Sequence, residues 1–209
     1  MINKLLIFLL FFCCMNIRSQ SFEGMLVYSV NYESKSSNVT SDQLNSLMGT
    51  KQWYAIKEGN YKSVFNGNFI KLQIYRNDEN RNYNLTAKSD TLYYENYNVN
   101  KDKALSFEIK KNQDTIMGIP CDLIIVKAEK STISFYFNSD YKINFELFKQ
   151  HNYGNWYYII SKTKALPLKI VAETEQFIMT SIGTEITPMK LNDNVFEIQN
   201  KDKKAPAYW

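Results

Sequence analysis

The chain has 209 residues and a formal net charge of +4, with 22% charged and 15% aromatic residues. Positive and negative charges are interleaved along the sequence, which excludes the clustered basic face that nucleic-acid binding requires. Fifteen tyrosines and thirteen phenylalanines, against seven glycines and four prolines, favour a strand-rich protein, because aromatic side chains fit the half-buried surface of a sheet. No linker or repeat interrupts the sequence, so we predict one domain.

Residues 1–19 have the pattern of a cleaved secretory signal peptide. Lys4 precedes an apolar block from Leu5 to Met15, which is shorter than the ~20 residues needed to span a bilayer. An N-terminal membrane anchor is the alternative. We therefore expect export to the periplasm or the extracellular space, with peripheral contact with a membrane at most.

The cysteines raise the question of lipid anchoring. Cys13 or Cys14 could carry the lipid of a bacterial lipoprotein, but Phe12 is too large for the position before the lipidated cysteine. Soluble export therefore ranks above anchoring. Without the signal peptide, Cys121 remains as a single cysteine and no intramolecular disulfide can form. It stands at the head of an apolar strand, so we predict a buried core residue rather than a nucleophile.

The first half of the mature chain predicts strands and one helix. Period-2 alternation indicates a first strand over Phe22–Tyr32. A short helix follows, since Thr40 and Gln43 stand at capping-box positions and Gly49 can end it. From Lys51 to Asn112, short apolar runs alternate with turn signals, which is typical of a meander of antiparallel strands.

The second half continues in strands. CDLIIVKA and STISFYFN predict a hairpin, while residues 141–163 fit either a loop or a short helix. Leu166–Ala172 and Ile178–Ile186 then predict a second hairpin with its turn at Glu173–Gln176. We expect the apolar side of this hairpin to face a hollow.

Together these elements predict a mainly β protein. The expected architecture is a single, strongly curved antiparallel sheet of about ten strands, an open half-barrel, with one or two short helices covering its concave side. This domain would span residues 20–200, after the signal peptide at 1–19 and before a frayed, basic C-terminal tail at 201–209.

No pattern in the sequence indicates catalysis or a metal site. The single histidine, His151, lies in the polar segment KQHNYGN, where we expect a solvated loop residue rather than a member of a catalytic triad. Zinc would need clustered cysteine and histidine, and turns explain the acid and amide runs better than calcium does. We therefore predict no catalytic residue, metal or cofactor, although a carboxylate pair of the glycoside-hydrolase kind stays open.

Four motifs in the second half carry a family resemblance: Gly118–Cys121 (GIPC), Leu166–Ile170 (LPLKI), the threonine-bearing Thr180–Thr184, and Leu191–Ile198 (LNDNVFEI). With these motifs the chain resembles the LolA/LppX-like superfamily of outer-membrane lipoprotein-sorting half-barrels. It is most similar to exported Bacteroidota families of that shape, and more loosely to the GLPGLI family, whose namesake string is absent. The resemblance implies a many-stranded open half-barrel whose apolar hollow holds acyl chains.

The favoured function is a non-enzymatic exported binding protein, expected to be a monomer, with an apolar concavity for a lipid or an acylated protein. The expected lining residues are Trp53, Tyr94, Phe135, Tyr157, Leu166, Leu168, Ile170, Ile178 and Ile182. The alternatives are an envelope protein-interaction module with a self-filled core and a carboxylate-pair hydrolase. An open apolar cavity of about 300 Å³ or more favours the binding protein, and a filled interior argues against it.

Overall fold

A computed structural model describes residues 21–198 and 203–209 of the chain. The predicted signal peptide at 1–19 lies outside these described residues, as does the start of the predicted tail. Within them the chain forms twelve β-strands and two α-helices, with three short 3-10 turns. The same residues contain no helix that is long and apolar enough to cross a membrane.

The first half contains one helix and six strands. They are β1 (Gly24–Ser34), α1 (Ser41–Met48), β2 (Lys51–Lys57), β3 (Asn60–Phe65), β4 (Ile70–Arg76), β5 (Arg81–Thr86) and β6 (Leu92–Asn96). The second half contains β7 (Ala104–Ile116), β8 (Ile119–Ala128), β9 (Thr132–Lys142), α2 (Trp156–Thr163), β10 (Ala165–Glu173), β11 (Phe177–Pro188) and β12 (Lys204–Pro206).

All twelve strands belong to one open sheet. Their order is β12-β6-β5-β4-β3-β2-β1-β11-β10-β9-β8-β7, so β1 and β11 join the two sequence halves at the centre. Neighbours are antiparallel except for β12, which runs parallel to β6. The predicted mainly β fold with one open antiparallel sheet is confirmed, with twelve strands instead of about ten.

The first helix begins at the predicted capping box. The Thr40 side chain accepts a hydrogen bond from the Gln43 backbone N–H, and the Gln43 side chain accepts one from the Thr40 N–H. At its C-terminal end α1 packs closely on the β3–β4 turn, where a Cβ on Gly67 would overlap the backbone of Met48. A glycine at this position therefore permits the close approach.

Residues 141–163, which fitted either a loop or a helix, contain two 3-10 turns, Phe145–Phe148 and Tyr153–Asn155, followed by α2. Ile159 and Ile160 of α2 are fully buried. Ile159 packs with apolar residues of β8 and β9 in one core cluster. The helix thus fills the concave side over the second half of the sheet.

The segment after β11 covers the opposite, convex face of β2 and β5. Leu191 and Phe196 pack on Ala55, and Ile198 packs on Tyr83. Ala55 alternates along β2 with the inward-facing Tyr54, and successive side chains of a strand point to opposite faces. This contact therefore lies behind the sheet.

The C-terminal tail was predicted to be frayed, and its described part is not. Lys204–Pro206 forms β12 on the edge strand β6, and the Trp209 ring contacts Phe69 and Tyr93 at centroid distances of 5.6 and 5.5 Å. Aromatic packing offsets the cost of ordering a basic tail. At the other edge, the register of β7 shifts between Lys110 and Asp114.

Candidate functional site

A hollow of about 520 Å³ lies on the concave face of the sheet. Its walls come from β1 to β4, β6, β10 and β11, from the end of α1, from residues 151–156, and from Trp209. Because α2 packs over β8, β9 and β10, it closes one end of the hollow and leaves the concave face over β1 to β6 uncovered.

Tyrosine rings form a row along one wall of the hollow. The antiparallel register places Tyr61 opposite Tyr75, and their ring centroids lie 5.0 Å apart. Tyr54 continues the row on one side at 5.5 Å from Tyr61, and Tyr97 continues it on the other side at 5.7 Å from Tyr75. Tyr153 stacks on Tyr97 at 4.6 Å. We call these five residues the tyrosine row.

A second row, which we call the polar row, consists of Gln52, Ser63, Gln73, Asn84 and Glu95. Gln52 donates to Ser63 at 2.9 Å, Gln73 donates to the Asn84 side-chain oxygen at 2.9 Å, and Asn84 donates to a Glu95 carboxylate oxygen at 3.0 Å. Since Gln73 is paired in register with both Ser63 and Asn84, the row crosses five adjacent strands.

His151 is buried against the tyrosine row, contrary to the solvated loop residue expected from its polar segment. Its Nε2 lies 2.9 Å from the Tyr61 hydroxyl, and its ring centroid lies 4.6 Å from that of Tyr75. The loop reaches this position because the Tyr97 carbonyl accepts hydrogen bonds from the backbone N–H groups of Asn152 and Tyr153. Burial lowers the pKa of His151 from 6.5 to about 3, so the imidazole is neutral.

The remaining ionisable groups near the hollow are mostly uncharged as well. Burial raises the pKa of Tyr28, Tyr54 and Tyr61, and it raises the pKa of Tyr32 to about 12. These phenols are therefore protonated at neutral pH. Glu95 is the one acidic side chain among the described lining residues, and none of them is a lysine or an arginine.

Four buried polar atoms around the hollow have no hydrogen-bond partner among the described residues. They are Tyr54 Oη, His151 Nδ1, Trp156 Nε1 and Ser181 Oγ. Buried polar groups are normally paired, and leaving one unpaired costs about 1–3 kcal/mol. All four belong to residues that line the hollow, so the unpaired buried polar groups of the described residues are concentrated around it.

Ile170 is the one residue of the predicted lining set that lines this hollow. It is paired in register with Ser181, which is paired in turn with Val30, and all three side chains face the hollow. Leu166 and Leu168 are fully buried in the main core, and Phe135 is buried in the cluster around Ile159. Tyr157 is half-buried and stacks on Phe145.

Four predicted lining residues lie on the opposite face of their strands. Trp53 lies between the inward-facing Gln52 and Tyr54, and Tyr94 precedes the inward-facing Glu95. Ile178 and Ile182 alternate with Met179 and Ser181, which do line the hollow. Side chains alternate along a strand, so an assignment that differs by one residue places the whole set on the wrong face.

The lining residues that the sequence did not reveal include four members of the tyrosine row, Tyr54, Tyr61, Tyr97 and Tyr153, together with His151, Glu95 and Trp209. Alternation does mark Tyr28, Val30 and Tyr32 of β1 as one face, and these three residues line the hollow. The pairing of Tyr61 with Tyr75 depends on register between strands, and the docking of His151 depends on tertiary contacts. Neither is encoded in a local spacing.

Cys121 is fully buried and its thiol donates to the Ile119 carbonyl at 3.3 Å. Burial raises its pKa, which keeps the thiol protonated, as expected for a core residue. Within residues 21–198 and 203–209, no group of three or more histidine, cysteine, aspartate and glutamate side chains is placed to hold a metal ion.

The comparisons with known proteins assign this chain to no family. No family model matches the chain, and no curated protein sequence matches it. Among solved structures, that of PNGF-II in space group C2 matches with a TM-score of 0.42 and 13% identity, over 87% of this chain and 31% of that one. The chain thus spans about a third of the length of PNGF-II, and a likeness at this level carries no argument about function.

Proposed function

We propose that this is a non-enzymatic, exported binding protein whose hollow holds one apolar or amphipathic ligand, such as a lipid or an acylated group. The observation that supports this most is the open hollow of about 520 Å³. Small-molecule sites commonly measure about 300–1,000 Å³ and are lined by apolar and aromatic side chains with a few polar groups.

The apolar part of the lining suits a hydrocarbon chain. Val30, Ile170 and Met179 line the wall made by β1, β10 and β11, and Phe65 and Phe69 line the wall near α1. Removing apolar surface from water is worth roughly 25 cal/mol per Å². A ligand with an acyl or other apolar body would be stabilised by contact with these side chains.

The polar part of the lining suits recognition more than turnover. A general base works best when its pKa lies near the working pH, and burial lowers the pKa of His151 to about 3. A carboxylate pair would need a second acid about 5–10 Å from the first, and among the described lining residues Glu95 is the one acidic side chain. These features favour binding without reaction.

Export and the half-barrel resemblance belong to the same proposal. The signal-like residues 1–19 support a periplasmic or extracellular location, where lipids and acylated proteins move between membranes. The LPLKI motif, which carries part of the likeness to lipoprotein-sorting half-barrels, contains both Ile170, which lines the hollow, and Leu166 and Leu168, which support it.

The test combines native mass spectrometry with a neutral fluorescent probe, N-phenyl-1-naphthylamine. Protein purified gently from its own host should carry an additional lipid-sized mass, and delipidated protein should bind the probe. Ser181→Phe fills the hollow and should weaken probe binding about tenfold or more. Thr180→Phe adds the same ring one residue away, on the opposite face of β11, and should leave binding unchanged.

Two results would refute the proposal. One is a clean apo mass together with no probe binding by the delipidated protein. The other is equal probe affinity of Ser181→Phe and Thr180→Phe when circular dichroism shows both to be folded. A protein-interaction module with a filled core predicts the first result.

A further inference from the structure

We infer that the hollow selects ligands that carry a positively charged ammonium group, received by the carboxylate of Glu95. This inference rests on the proposed function and specifies the head group of the ligand. It is supported by the absence of a countercharge for Glu95 among the described residues, by the Glu95 carboxylate oxygen that accepts no hydrogen bond from those residues, and by the effect of the Glu95 charge on the tyrosine hydroxyls.

Among the residues that the structure describes, Glu95 has no countercharge. None of the ion pairs among the described residues includes Glu95, and no lysine or arginine lines the hollow there. By contrast, Asp114 pairs with Lys169 at 2.9 Å and Asp122 pairs with Lys111 at 2.7 Å. A half-buried carboxylate in an apolar hollow has lost much of its hydration, so a ligand cation would restore favourable interactions.

The hydrogen bonds of the polar row leave part of the Glu95 carboxylate without a partner among the described residues. The Asn84 side-chain oxygen accepts from both Gln73 and Asn82 at 2.9 Å, and the Asn84 amide nitrogen donates to Glu95. One N–H of each of these three amides is thus used within the network. The bond from Asn84 occupies one of the two Glu95 carboxylate oxygens, and the other accepts no hydrogen bond from the described residues. The second oxygen can therefore accept a hydrogen bond from a ligand N–H group.

The negative charge of Glu95 also acts on the tyrosine row. Burial is the largest cause that raises the pKa of Tyr61, Tyr97 and Tyr153, and the Glu95 charge raises all three further. The same potential repels an anionic head group and attracts a cation, more strongly in a low-dielectric hollow than in water. An ammonium–carboxylate hydrogen bond is about twice as strong as a neutral one.

The ring of Tyr97, two residues after Glu95, offers no open face to a cation. Tyr97 is stacked between Tyr75 and Tyr153 at 5.7 and 4.6 Å, so both of its faces are covered. Cation–π attraction needs a cation over an open ring face. The specificity therefore depends on Glu95, and a single substitution can test it.

The experiment compares three amphiphiles of equal chain length, each below its critical micelle concentration or, for the alcohol, its solubility limit. Dodecylammonium, dodecanol and dodecyl sulfate are titrated against delipidated protein while displacement of N-phenyl-1-naphthylamine is recorded. We expect the cation to bind about tenfold or more tightly than the alcohol, and the sulfate to bind most weakly. Raising the salt concentration should narrow the gap, because screening weakens the field of Glu95.

Three variants separate charge from structure. Glu95→Gln should bring the affinity for the cation down to that for the alcohol, while Glu95→Asp should keep the preference for the cation. Glu185→Gln removes an exposed carboxylate from β11 and should behave as the parent protein does. The ratio of the two affinities is the readout, so a general loss of stability does not imitate the expected effect.

The outcomes distinguish the two proposals. If all three amphiphiles bind equally well, or if Glu95→Gln keeps the preference for the cation, the ammonium inference is refuted and the binding function stands. If neither the amphiphiles nor the fluorescent probe binds, the binding function itself is refuted.

Discussion

The Tyr61 hydroxyl and His151 Nε2 lie 2.9 Å apart, joining strand β3 to a loop ninety positions later in the chain. This contact fixes the loop that forms one wall of the hollow. Because burial lowers the pKa of His151 to about 3, the hydrogen bond involves a neutral imidazole at every pH at which the protein is expected to work.

The burial of His151 predicts a loss of stability in mild acid. The unfolded chain takes up a proton on this histidine as the pH falls through 6.5, while the folded chain does so only near pH 3. Stability is therefore fully present above pH 6.5 and falls by up to about 1.4 kcal/mol per pH unit below it.

The measurement is urea unfolding of the parent protein and of His151→Gln at pH 7 and pH 5. The parent should lose about 2 kcal/mol more than the variant between these pH values. His151 is the one histidine in the sequence, so the difference between the two proteins reports this residue. Equal losses would show that the imidazole is solvated in the folded protein.

Removing the partner of His151 should also destabilise the fold. Tyr61→Phe leaves the buried Nε2 without its hydrogen bond, which should cost about 1–3 kcal/mol in the free energy of unfolding. Tyr208→Phe is the matched control, since Tyr208 is 73% exposed, and it should change stability by less than about 0.5 kcal/mol. Similar stabilities of the two variants in urea titrations would contradict the contact.

The capping box of α1 should contribute measurably. Thr40→Ala removes the oxygen that accepts the Gln43 N–H and should lower the free energy of unfolding by about 1 kcal/mol. Thr40→Ser keeps the accepting oxygen and should preserve stability. Thermal unfolding followed by circular dichroism distinguishes them, and a loss of equal size in both variants would count against the cap.

The hairpin of β10 and β11 depends on close backbone packing. A Cβ on Gly183 would lie 2.9 Å from the Leu168 carbonyl oxygen and 3.1 Å from the Met117 side chain. Gly183→Ala should therefore cost about 1–3 kcal/mol through overpacking. The exposed Glu185→Ala on the same strand should stay within about 0.5 kcal/mol of the parent in urea unfolding, and an unaffected Gly183→Ala would show that this packing is loose.

The sequence predicts what depends on local chemistry. The helix at Ser41–Met48 follows from Thr40 and Gln43, and the capping box is present in the structure. The strands of the hairpin at β10 and β11 also lie where alternation and turn residues place them. Such features depend on neighbouring residues, so a single sequence contains them.

The features that the sequence does not predict depend on contacts between residues that are far apart in the chain. Ile178 and Ile182 are apolar but face away from the hollow, while the small, polar Ser181 faces into it. The more apolar set of alternating side chains is expected to point towards the hollow, but on β11 it does not. Both faces of the sheet are partly covered, so apolar character alone does not identify the face that lines the hollow, and the strand register decides it. The polar neighbours of His151 predict a solvated side chain, but contacts with distant strands bury it.

An open sheet exposes unpaired N–H and C=O groups along its two edges, where a foreign strand can add. On one side the last strand, β12, has three residues and includes Pro206, which has no N–H to offer. On the other side the pairing of β7 is interrupted between Lys110 and Asp114, where Asn112 has a positive φ of 53°. Such a bulge increases the local twist of the edge strand and hinders pairing with a strand from another molecule. A foreign strand thus meets an interruption at each border, and the exposed Leu105, Phe107 and Ile109 of β7 alternate with the polar Ser106, Glu108 and Lys110. These features limit edge-to-edge association of the open sheet.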